Sequence, residues 1–188
     1  MPGYLACLII VLIIGMVLTR VLLLKKRGIS AMQFGKIDRT DFLIPPFALI
    51  YFYLVFAAAF QLPTVSRQEF FHSTLVAWAG VFFCLAGLGL LLWSIISFSQ
   101  SFRVGIDTEQ PGILITSGAF AFSRNPIYIA FTLTLLGQFM IFPNWILLVY
   151  TGAALWLFHR QILREEVYLE KHYGMEFARY CNLVRRYL

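Results

Sequence analysis

The sequence predicts an all-α integral membrane fold with about five transmembrane helices, the last two forming a C-terminal helical hairpin. Three observations lead there. Of the 188 residues, 60% are hydrophobic, 17% aromatic and only 13% charged, whereas soluble domains carry about 25% charged residues. Apolar runs recur at lengths near the roughly 20 residues that a membrane-spanning helix needs. The basic residues gather at one end of those runs instead of scattering along the chain. A net charge of +6 alone would suggest a nucleic-acid partner. Its sorting makes the charge topological instead, so no nucleic-acid partner is expected.

The first run, Tyr4–Leu24, lacks a small-residue cleavage site and is followed, not preceded, by Lys25, Lys26 and Arg27. It reads as a retained span rather than a signal peptide. The second is Phe42–Leu62. The third, Ser73–Ile96, carries Ala77, Gly80, Cys84 and Gly87 at i, i+3, i+7 and i+10, a small-residue stripe that lets helices approach closely. The fourth, Ile127–Phe142, is short, and Pro143-Asn144 turns it into the fifth, Trp145–Leu163. The whole is read as a single membrane domain, generic over 1–72 and carrying its chemistry over 73–188. Lys25, Lys26, Arg27, Lys36, Arg39, Arg103, Arg124, Arg164, Lys171, Arg179, Arg185 and Arg186 fall on one side, and Arg67 on the other. By the positive-inside rule the protein is multi-pass, with its N-terminus outside and its C-terminus cytoplasmic. Cys7, Cys84 and Cys181 read as free thiols.

Every long polar segment then lies on the cytoplasmic side: Ala31–Asp41, Ser97–Asn125 and Arg164–Leu188. In the second of these, Pro111-Gly112 reads as a turn, Ile113–Ile115 as a short extended stretch and Thr116-Ser117-Gly118 as another turn. "SRNPIY" (Ser123 to Tyr128) follows at the mouth of the fourth span. Asn125 suits an N-cap and Pro126 the first helical position, and a helix start also offers N–H groups to an anion. After the fifth span, Gln161, Glu165, Tyr168 and His172 at i, i+4, i+7 and i+11 share one helical face, with Ile162, Leu169 and Tyr173 on an apolar one beside it. Glu166 is rotated about 100° from Glu165 and is expected to be a rim carboxylate. Gly174 is a natural helix stop. No metal cluster, catalytic triad, P-loop or dinucleotide fingerprint is evident.

"TSGAFAFSRNPIYIAF", with "REEVYLEKHYGMEFARYCNLVRRYL" some forty residues on, resembles the isoprenylcysteine carboxyl methyltransferase family, relatives of the phospholipid N-methyltransferases. The resemblance runs from about Gly87 to Leu188. It implies a methyltransferase using S-adenosyl-L-methionine, with a cofactor pocket in the cytoplasmic half. The cofactor residues it implies are Gly112, Ile113, Leu114, Ile115, Phe120, Asn125, Pro126, Ile127, Tyr128 and Glu165. It places Arg160, Gln161 and Glu165 at the reacting end. Tyr128 is expected to present its ring to the cationic cofactor. Two positions depart from the family pattern: Asn125 stands for a histidine, and Gln161 for an arginine that faces the substrate carboxylate. The implied partners are membrane lipids and a lipophilic small molecule or lipid-modified substrate. The alternatives are an NADPH-dependent membrane reductase of the sterol-reductase type and a non-enzymatic membrane adaptor.

Overall fold

Each of the expected apolar runs is a helix in the computed structural model, which describes residues 1–26, 44–62, 69–98 and 113–188. The helices are α1 (Pro2–Lys26), α2 (Ile44–Ala59), α3 (Thr74–Ser97), α4 (Pro126–Ile141), α5 (Trp145–Tyr173) and α6 (Met175–Leu183). A 3₁₀ turn, Gly118–Ala121, precedes α4. The helix starts are written locally. Ser73 caps α3 by accepting from the Val76 N–H, Pro126 opens α4, and Asn144 caps α5 by accepting from the Leu147 N–H at 2.8 Å.

Five spans were expected, and among the described residues three helices are long and apolar enough to cross a membrane: α1, α3 and α5. The other two, α2 and α4, have 16 residues each. At 1.5 Å per residue that is about 24 Å, short of the roughly 30 Å hydrocarbon core. Only 28%, 28% and 22% of the most apolar windows of α1, α3 and α5 are buried within the molecule. Leu8, Leu12, Leu22, Leu75, Phe82, Leu92 and Val149 lie on the outside. Water would not tolerate this much exposed apolar surface, and lipid does. The protein is therefore an all-α integral membrane protein.

Close helix packing here is concentrated between α3 and α4. A Cβ placed on Gly80 would lie 2.5 Å from the Gly137 carbonyl oxygen, and one on Gly137 would meet the Gly80 carbonyl oxygen at the same distance. A Cβ on Gly87 would lie 2.6 Å from the Ala130 carbonyl oxygen. The small-residue stripe is thus a backbone-to-backbone seam, as helix association in lipid favours. Within the bundle, the Tyr51 hydroxyl of α2 donates to the buried Gln138 of α4 at 2.5 Å. Tyr150 of α5 donates to the Phe47 carbonyl.

The expected hairpin is present, since only Phe142-Pro143-Asn144 joins α4 to α5. Because α4 is drawn against α3, however, it leaves α5 across a groove. Moreover, α5 does not stop at Leu163 but runs unbroken to Tyr173, ending at Gly174 with φ +50°. One rigid helix therefore carries an apolar half and a polar half.

The seam gives a paired prediction. Gly80→Ala must move backbone, so a loss of about 1–3 kcal/mol is expected in unfolding from detergent. Gly89, two residues beyond Gly87 on the same helix, has nothing within 4 Å of its would-be Cβ. Gly89→Ala should be neutral or stabilise by up to about 1 kcal/mol. Equal effects at the two positions would contradict the seam.

Candidate active site

The turn before α4 is anchored to the end of α3. Ser97 Oγ, itself donating to the Trp93 carbonyl, accepts from the Ala119 N–H at 2.9 Å. Gly118 has φ +63°, and a Cβ there would fall 2.2 Å from Ser97 Oγ. Both the backbone conformation and the close approach require glycine. Phe120 packs edge-on against Phe98, with ring centroids 4.8 Å apart. Its carbonyl accepts from the buried Tyr180 hydroxyl of α6 at 2.6 Å. Burial pushes that phenol up to about 12, so it remains a donor throughout the neutral range.

"SRN" works differently from a side-chain helix cap. Asn125 occupies the N-cap position of α4 but makes no capping bond. Its Nδ2 donates instead to the Arg186 carbonyl at 3.1 Å, which also accepts from Ser123 Oγ at 3.2 Å. The Arg124 N–H donates to the Arg185 carbonyl at 3.0 Å. Three successive residues thus clasp the 184–188 segment, and the Asn125 side chain bonds to that segment and makes no bond to the first turn of α4. Arg124 also reaches Cys181 Sγ with Nη1.

Glu166 closes the clasp. Arg186 gives it a two-pronged contact, Nη2–Oε2 at 2.7 Å and Nε–Oε2 at 2.9 Å, and Arg124 Nη2 lies 3.4 Å from Oε1. The Glu166 and Arg124 side chains are each 13% exposed. The hydrogen bond to Glu166 holds the Arg186 guanidinium above its ordinary value. Glu166 is accordingly no solvated rim carboxylate. It is an inter-segment ion pair joining α5, the loop before α4 and the 184–188 segment.

Glu165 has a separate role. Its Oε1 accepts from the Tyr128 hydroxyl at 2.6 Å and from Gln161 Nε2 at 3.3 Å. Two cavities meet at this point. A chamber of about 140 Å³ is walled by Ile113, Leu114 and Ile115, by the aromatic rings of Phe98, Phe120, Tyr173, Phe177 and Tyr180, and by Arg124, Asn125, Glu165 and Glu166. A groove of about 440 Å³ lies between α4 and α5, lined by Tyr128, Ile129, Thr132 and Leu133 on one side and Leu155, Phe158, His159 and Ile162 on the other. Tyr187 and Leu188 also line it, and the Tyr187 hydroxyl lies 2.6 Å from His159 Nδ1. Tyr128 lines the groove while its hydroxyl bonds to a carboxylate of the chamber.

Of the residues singled out from sequence, Ile113, Leu114, Ile115, Phe120, Asn125 and Glu165 line the chamber. Gly112 lies outside the described residues. Pro126 is buried, Ile127 packs on the bundle core, and neither lines a cavity. Gln161 reaches the chamber through Glu165. Arg160 lines neither cavity and lies over the Trp156 ring, 5.7 Å from its centroid. The face of α5 turned to the chamber is Glu165, Glu166, Leu169 and Tyr173, not the face running through Tyr168 and His172. Those two stack on each other, with centroids 6.0 Å apart. Both glutamates therefore line one chamber, with different partners. Sequence reasoning missed Phe98, Arg124, Phe177, Tyr180 and Arg186. The spacing of Leu169 and Tyr173 at i+4 and i+8 from Glu165 was the one available signal for the chamber face.

Comparison with known proteins identifies a family. The profile of the phospholipid methyltransferase family (PEMT) matches residues 75–176, from the first turn of α3 to the start of α6. Protein-S-isoprenylcysteine O-methyltransferase of Schizosaccharomyces pombe is 31% identical over 106 residues, which are 55% of this chain and 44% of that protein. The chain thus covers less than half the length of that relative. The profile match takes in more than half of the chain, including the α3–α4 seam, Ser123–Asn125 and both glutamates, and ends before the 184–188 segment. The chain belongs to the phospholipid methyltransferase family.

Proposed function

We propose that this protein transfers a methyl group from S-adenosyl-L-methionine to a lipophilic acceptor at the cytoplasmic leaflet. The observation that carries the reading is the Tyr128–Glu165 hydrogen bond, which joins the chamber that holds both glutamates to an apolar groove. A soluble donor and a membrane-borne acceptor need two such adjoining sites.

The chamber's chemistry fits the donor. Its aromatic and aliphatic walls suit a nucleobase, and Glu165 suits a cationic group. Arg124 Nε is buried and has no hydrogen-bond partner, leaving donor capacity for the carboxylate of an amino-acid moiety. At about 140 Å³ the chamber is smaller than the roughly 300 Å³ of a typical small-molecule site. Phe98 and Ile113, the described residues flanking 99–112, both line it.

When bound, S-adenosyl-L-methionine supplies a methyl group on a sulfonium cation. Ile113–Ile115 and Phe120 would hold its apolar part, with Glu165 turned toward the positive charge. The clasp fixes the start of α4, and hence Tyr128, relative to α5. Holding an acceptor in line in this way can be worth about 7–11 kcal/mol. Gln161 steadies Glu165 in this scheme, and Arg160 is assigned no direct contact.

The test is transfer of labelled methyl from S-adenosyl-L-methionine by purified protein in nanodiscs, offered membrane lipids and small amphiphiles. Labelled product in the lipid phase is expected. Its absence with every acceptor, from protein that stays folded, would favour a non-enzymatic adaptor.

A further inference from the structure

The groove's lining points to the chemistry of the acceptor. Among the described residues it contains no arginine or lysine. Its one titratable nitrogen-bearing side chain, His159, is engaged with the Tyr187 hydroxyl. Arg124 and Arg186 are turned to Glu166. A carboxylate entering this groove would lose its water without gaining a cation, which is costly. An alkylammonium would have to shed its proton first, against a reference pKa near 10.4. A thiol, with a reference pKa of about 8.5, enters neutral. It still carries one proton that has to leave when sulfur is methylated.

We infer that the acceptor is a lipophilic thiol, and that Tyr128 relays its proton to Glu165. The inference rests on the methyl-transfer reading. Tyr128 lines the groove and already donates to Glu165 Oε1 at 2.6 Å. Its oxygen is thus placed to take a proton from the groove while its own proton passes to the carboxylate. The balance is complete. The thiol sulfur forms a bond to the methyl carbon as the carbon–sulfonium bond breaks, and the sulfonium regains its electron pair as a neutral thioether. The thiol proton goes to the Tyr128 oxygen and the tyrosine proton to Glu165. One positive charge and one negative charge vanish together. That is favourable in a site of low dielectric.

The experiment compares three acceptors with the same C12 alkyl chain, a thiol, an amine and a carboxylate, using wild-type protein and Tyr128→Phe in nanodiscs. Calorimetry of S-adenosyl-L-methionine binding runs alongside. The thiol is expected to be methylated at least ten-fold faster than either other acceptor. Tyr128→Phe should lower kcat with the thiol by about a hundred-fold or more, in the range of acid–base contributions. Donor affinity and the KM for thiol should stay within about three-fold, a split that general loss of structure would not give. A preference for the carboxylate or the amine, or an unchanged kcat in Tyr128→Phe with donor still bound, would overturn the inference while leaving methyl transfer intact. Failure of the wild-type protein to bind donor would instead overturn the reading beneath it.

Discussion

Replacing Glu165 by Gln is expected to weaken S-adenosyl-L-methionine binding by about ten-fold to more than a hundred-fold. A hydrogen bond to a charged group contributes roughly 1.5–3 kcal/mol, and this carboxylate faces a chamber walled mostly by rings and aliphatic chains. The substitution removes charge but little shape. A glutamine carbonyl can still accept from the Tyr128 hydroxyl and from Gln161, the two donors that now share Oε1. Fold and partition between the cavities should therefore survive, and the loss should show in the dissociation constant, not in thermal stability. Calorimetry on detergent-purified protein is the check. Unchanged affinity would mean that Glu165 orients Tyr128 without meeting the donor.

Glu166→Gln should act in the opposite way, through stability. Breaking a buried ion pair by removing one partner costs about 3–5 kcal/mol. Arg124 is left 13% exposed without its counter-ion, while Arg186, at 38%, retains access to water. The discounted expectation is about 2–3 kcal/mol, or roughly 4–12 °C in melting temperature for a chain of this size. Arg186→Gln, which leaves Glu166 facing Arg124, should cost less. A loss below about 1 kcal/mol for Glu166→Gln would place the pair among ordinary surface ion pairs. The two adjacent glutamates thus separate into a ligand-facing group and a structural one, read out by different instruments.

What the sequence disclosed, and what it hid, follows from the range of the interactions involved. The apolar runs, the Ser73 and Asn144 caps, Pro126 at the head of α4, the glycine seam and the stop at Gly174 are local or periodic features, so they were legible. The chamber walls at Ile113–Ile115, Phe120, Asn125 and Glu165 came from a motif resemblance. The partners of those walls were not legible, because they come from far along the chain. Asn125 reads as a cap from its neighbours in sequence, whereas its side chain bonds to the carbonyl of Arg186, 61 residues away, and makes no capping bond. Glu166 looked like a rim charge because nothing near it in sequence shows Arg124 or Arg186 closing over it. The 100° rotation between the glutamates was right as helix geometry. It failed as an argument for one site residue, because the chamber wraps around more than one face of α5. The shortness of α4 was visible in its length, but the groove beside it arises from the choice of α3 as packing partner.

The central claim is that the chamber beside Glu165 holds a sulfonium methyl donor. A thermal melt of the purified protein with S-adenosyl-L-methionine, with its demethylated product and with NADPH tests it most directly. The account predicts that melting temperature rises saturably with the first two, that NADPH has no effect, and that Glu165→Gln shifts the rise to about ten-fold or more higher ligand concentration. Stabilisation by NADPH with none from S-adenosyl-L-methionine would contradict it and make the chamber a nicotinamide site.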